Sequence, residues 1–154
     1  MRRIIIICAL GGLLSLPAKA DETLKFRIVG HATSFQSQDV GDVDGHALIL
    51  ARLSGLASFP DGSVGSVNWT LQGDDIKGDG TWMTYVNVTL LDGSVLRYKA
   101  TGSQKASGPI TASLSVLGGK GRFEHAKGDG SINGAYPPET GPNSYFEIVI
   151  NIKK

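Results

Sequence analysis

The chain has 154 residues, 41% of them hydrophobic, with 15 basic and 14 acidic side chains for a formal net charge of +1. A chain of this length suits one domain with a core of its own. So even a balance, with Lys and Arg scattered, excludes the basic footprint of a nucleic-acid binder and the polybasic run that would hold a protein on an anionic membrane.

Residues 1–20 read as a cleaved signal peptide. Arg2 and Arg3 open it, an apolar run follows, and Pro17-Ala18-Lys19-Ala20 places small residues at the two positions that signal peptidase reads. The run is shorter than the ~20 residues a helix needs to cross a bilayer. Cleavage after Ala20 would send residues 21–154 to the periplasm or the medium as a single domain. It also removes Cys8, the chain's one cysteine, so disulfides, thiolate metal sites and cysteine nucleophiles are excluded from the mature part. Taking Arg2, Arg3 and Lys19 from the 15 basic side chains leaves 12 against 14 acidic ones, a net charge of −2.

The recurring period in the mature part is two. Residues 23–31 put Leu24, Phe26 and Ile28 on one face and Lys25 and Arg27 on the other, the alternation of a half-buried strand. The polar stretch 34–45 reads as a loop. Residues 46–57 form a second strand, apolar at nearly every position, and Phe59-Pro60-Asp61-Gly62 is a turn. Val67, Trp69 and Leu71 share a face over 66–72. Residues 74–80 read as a turn and 81–91 as a fourth strand. Asp92-Gly93 fits a type I′ hairpin. Leu96, Tyr98 and Ala100 then alternate with Arg97 and Lys99. Pro109 opens a strand carrying Ile110, Ala112, Leu114 and Val116. After a glycine-rich segment come a weak strand at 127–135, a proline loop at 137–142 and a last strand over 145–152 with Phe146, Ile148, Ile150 and Ile152 on one face.

Eight short strands with turn signals between them predict an all-β protein. Sequential hairpins favour an eight-stranded antiparallel up-and-down closed barrel over a sandwich, because closure removes the edges an eight-strand meander must otherwise defend. A second strand apolar on both faces is covered on both, which leans towards a homo-oligomer.

Gly118-Gly119-Lys120-Gly121-Arg122-Phe123-Glu124, followed by Ala126 and Gly128, resembles the G-G-x-G-x-F-x-x-A-x-G segment of allene oxide cyclase and dirigent-type barrels. Residues 55–62 look like the turn after the second strand in bacterial proteins of that class. The resemblance implies a closed barrel with an apolar lumen. In the plant cyclases that lumen folds a reactive epoxide towards ring closure, and in dirigent proteins it steers radical coupling. The cyclases also use a cysteine, which the mature chain lacks. The motif marks the fold and not a reaction.

Other motifs point to no chemistry. The Gly118-to-Gly121 loop lacks phosphate-cradle spacing and reads as a close backbone crossing. Asp39, Asp42 and Asp44 before Gly45 miss the calcium-loop register, and His31, His46 and His125 lack metal-ligand spacing. No serine sits in a nucleophile elbow. No metal or cofactor is expected. The lumen candidates are Phe26, Trp69, Tyr98 and Phe146. Arg52 joins them, with His46, if the even-numbered face of the second strand points inward; a ligand carboxylate could then pair with it. If the odd face points inward, Arg52 meets solvent, and residue order cannot decide between the two. The leading expectation is an exported barrel binding a small apolar or amphipathic molecule in its lumen. A cyclase or isomerase acting by conformational confinement is the second, and a packed structural module without ligand the third.

Overall fold

The computed structural model describes residues 21–106, 108–135 and 143–153. The leader with Cys8, and the proline loop at 137–142, lie outside the described residues. Eight strands follow in order: β1 Glu22–Asp39, β2 His46–Ser58, β3 Val64–Ile76, β4 Asp79–Leu90, β5 Val95–Gln104, β6 Ile110–Lys120, β7 Lys127–Ala135 and β8 Asn143–Lys153. Each pairs antiparallel with its neighbour, and β8 returns to β1, closing an up-and-down barrel.

The inward face is the one the alternation marked. Leu24, Phe26 and Ile28 of β1, Val67 and Trp69 of β3, Leu96, Tyr98 and Ala100 of β5, and Ile148, Ile150 and Ile152 of β8 are all buried. On β2 the odd positions point inward, with Ala51 and Ala57 buried, while Leu48, Leu50 and Leu56 stand about half exposed on the outside. The outward side chains give β2 its second apolar face.

Three aromatic rings fit this interior because glycines lie against them. A Cβ on Gly30 would collide with the Trp69 ring, one on Gly134 with Phe146, and one on Gly102 would sit 2.9 Å from Trp82 Cζ2. Trp69 and Phe146 in turn meet edge to face at 6.4 Å, a favoured aromatic geometry.

The glycine-rich segment closes the end of the barrel where β1 begins. A 3-10 turn, Gly121–Phe123, places Phe123 and then Ala126 in the core, 1% and 2% exposed. Gly118 and Gly121 hold φ of +93° and +63°, which favour glycine, and a Cβ on Gly119 would run into the Val95 carbonyl. The motif is therefore a plug and a close crossing. Phe59, from the turn after β2, packs on Phe26 at 5.1 Å at the same end.

Several strands run longer than their alternation suggested. Residues 34–39 are not loop but the continuation of β1, and most of 74–80 is strand, with only Lys77-Gly78 turning. Lys77 and Gly78 both have positive φ (56° and 91°), so the type I′ hairpin is theirs. Asp92-Gly93 belongs instead to a three-residue hairpin loop over 91–93. Only Gly93 has positive φ, Gly93 N–H donates to the Leu90 carbonyl at 3.0 Å and Leu90 N–H to that of Ser94 at 2.9 Å.

The glycine–aromatic pairs generate a test. Gly30→Ala should destabilise the domain by about 1–3 kcal/mol through overpacking against Trp69. The outward Ser66→Ala should stay within about 0.5 kcal/mol. Urea midpoints at constant m would show the difference.

Candidate functional site

The barrel interior is nearly full. Between Trp69, Tyr98, Phe146 and their neighbours a void of about 30 Å³ remains, bordered also by Leu71, Trp82 and Thr84. That space holds a water or a methyl group, not a ligand. The Thr84 hydroxyl donates to the Thr70 carbonyl at 2.8 Å. Burial pushes the Tyr98 hydroxyl well above its ordinary pKa, so it stays protonated.

Room opens at the opposite end from the plug. A cup of about 370 Å³ lies there, walled by Phe35, Ile49, Leu53, Leu71 and Trp82, with Asp75 and Gln104 nearer the rim. Leu71 and Trp82 border both the cup and the void below it, so they form its floor. The cup exists because β1 runs on past β8 while it stays paired with β2. β1 pairs with β8 only as far as His31, but with β2 to Asp39. A bulge between Ala32 and Ser34 switches the inward parity of β1 from even to odd, bringing Phe35 opposite Ala51 on the inner face.

The sequence candidates divide on this geometry. Phe26, Trp69, Tyr98 and Phe146 do face the barrel interior, Phe26 towards the plugged end. Trp69, Tyr98 and Phe146 occupy the lumen and leave only the void. The reading that put Arg52 in the lumen is corrected: Arg52 is exposed on the outer wall, because the odd face of β2 is the buried one. Phe35, Ile49, Trp82 and Asp75 were missed. Phe35 lay in the stretch read as loop, and the bulge that turns it inward leaves no mark on hydrophobic periodicity.

The cup is bounded by aspartates. The Asp75 carboxylate accepts from Gly78 N–H at 2.8 Å and from Gln104 Nε2 at 3.3 Å, which bind the β3–β4 turn to β5. His46 does not enter the lumen either. It sits partly buried just outside the rim, with Nδ1 2.6 Å from Asp42 and Nε2 2.9 Å from Asp74. These two bonds, that to Asp42 first, raise the His46 pKa above its ordinary value, and the same bond lowers that of Asp42. His46 thereby fastens the β1–β2 loop to β3. Lys77 to Asp44, at 2.7 Å, and Lys77 N–H to the Gly45 carbonyl, at 3.1 Å, tie the same loop to the β3–β4 turn. Among the described residues no group of three or more His, Cys, Asp or Glu is arranged to hold a metal.

No family model matches the sequence, and no curated protein matches it either. Solved structures do. A pterocarpan synthase dirigent protein aligns with a TM-score of 0.58 at 12% identity, covering 89% of this chain and 97% of its own. The chain has the dirigent-type barrel fold. A protein of unknown function of the DUF3224 family from Shewanella oneidensis aligns at 0.49 and 14% identity over 88% of this chain and 98% of its own. At these identities the dirigent-type likeness is one of fold.

The His46 clamp makes the rim sensitive to pH. A histidine whose folded pKa is raised stabilises the fold fully below its unfolded value near 6.5, and that contribution disappears as pH climbs through the folded value. Asp42, with its pKa lowered from 3.8, adds stability above 3.8 that is lost on acidification below it. His46→Gln should thus cost most between about pH 4 and 6.5 and progressively less above. Urea midpoints of both proteins across pH 4–9 would show a gap that narrows on the alkaline side.

Proposed function

We propose that this protein is an exported binding protein that takes a small apolar or amphipathic molecule in the mouth of a dirigent-type barrel. The observation that carries the reading is the cup of about 370 Å³ over a filled lumen. That volume lies within the range of small-molecule sites, and its wall is mostly apolar with a few polar groups at one edge, the usual composition of such sites. The pterocarpan synthase name of the structural neighbour keeps open a second reading, catalysis by confinement. Among the described residues the floor of the cup carries no nucleophile or acid–base pair, which favours the binding reading.

Export is proposed from Arg2, Arg3, the apolar run and the Ala18/Ala20 site. Self-association is proposed from Leu48, Leu50 and Leu56, each about half exposed on the outer wall of β2. One measurement addresses both. Native mass spectrometry of protein recovered from its host's periplasm or medium should give a chain beginning at Asp21 and an assembly mass that is a multiple of it. A chain still carrying Met1, or a monomer only, counts against export or assembly respectively.

Binding can be tested by filling the cup. A Cβ on Gly73, which lines it, would meet nothing closer than 3.7 Å, so a side chain there fits the backbone and projects into the space. The neutral dye N-phenyl-1-naphthylamine should brighten on adding the wild-type protein. Gly73→Leu should weaken its affinity about tenfold or more while the urea midpoint is held. Equal affinity in both proteins, or no brightening with either, would count against the cup.

A further inference from the structure

We infer that the molecule the cup takes is a cationic amphiphile, with an ammonium or comparable positive group beside Asp75 and its apolar body on the Leu71–Trp82 floor. This rests on the cup reading above and specifies its ligand.

The support is the sign of the charge. Among the described residues lining the cup and the void there is no Lys or Arg, and Arg52 faces the other way. The ionisable groups lining the cup are Asp74 and Asp75, and Asp75 stands at an odd position of β3 like the inward Trp69 and Leu71. The Asp75 carboxylate has one bond to each oxygen, and a carboxylate has about four lone-pair sites, so acceptor capacity remains. Strand extension and the two turns carry Asp39, Asp42, Asp44, Asp74 and Asp79 to the same end, facing Lys77, Lys105 and His46. Among the described residues, six carboxylates against two lysines and one histidine leave the mouth negative at any protonation of His46. Such a field attracts a cation into an apolar cleft and repels a carboxylate. An anionic ligand, which an inward Arg52 would have served, therefore meets the wrong potential.

The ligand would be apolar where it lies on the floor and cationic at the rim.

Three naphthalene compounds of one shape test the charge: 2-naphthylmethylammonium, 2-naphthylmethanol and 2-naphthoate. Each is titrated at pH 7 against the full-length mature protein by quenching of tryptophan fluorescence, since Trp82 lies in the floor. The ammonium should bind about tenfold tighter than the alcohol, and the carboxylate most weakly. Raising salt from about 0.02 M to about 0.3 M should narrow the gap by screening the rim. Asp75→Asn should bring the ammonium's affinity close to the alcohol's. Because Asp75 also holds the β3–β4 turn, the wild-type charge series and its salt dependence stand as evidence without the variant. Carboxylate binding as tight as ammonium, or an ammonium preference indifferent to salt, overturns the inference and leaves the cup reading intact. No binding by any of the three overturns it too, and if N-phenyl-1-naphthylamine also fails, the cup reading falls with it.

Discussion

The interior of an eight-stranded barrel has a size set by its strand number, and everything else in this protein follows from how that fixed space is filled. Trp69, Trp82 and Phe146 are too bulky to share one cross-section with full-sized neighbours. Gly30, Gly102 and Gly134 lie against them and give up the space a Cβ would take. Packing then leaves only about 30 Å³ inside. A lumen so occupied gives the domain one continuous core and leaves no room for a ligand at its centre.

The two ends are then built differently. At the closed end, the glycine motif folds back across β5 and delivers Phe123 and Ala126 into the core, while Phe59 covers Phe26. At the open end, the β1–β2 hairpin outruns β8, and one bulged residue re-aims Phe35 towards the inside. The extension supplies a wall but leaves its backbone beyond His31 unpaired with β8. His46 and Lys77 hold the hairpin's loop to the β3–β4 region by charged contacts. The polar groups at the mouth therefore brace the wall and also set the sign of its potential.

Much of the fold was legible as alternation. Val67-Asn68-Trp69-Thr70-Leu71 states its inward face in five residues, and the registers of β5 and β8 read as plainly. The two-residue turn was placed on the wrong dipeptide because Asp-Gly is a common hairpin pair, whereas the chain turns tightly at Lys77-Gly78 and uses Gly93 as the left-handed residue of a longer loop. The candidate site was hardly legible at all. Its floor residues looked like ordinary core positions, its wall residue Phe35 sat among glutamines and serines, and Arg52 stood on a strand apolar on both faces, where periodicity gives no sign of which side is inside.

By itself the sequence determined the strand count, the closed antiparallel barrel and the identity of most inward side chains, because a period of two is a local property of the backbone. It also determined, through its glycine motif, where the chain crosses itself closely. Only the tertiary structure decided the parity of β2, the reversal of β1 at its bulge, the fullness of the lumen and the acidity of the mouth. Those depend on register between strands far apart in sequence and on summed side-chain volume. A one-residue shift in pairing exchanges inside for outside without altering a residue.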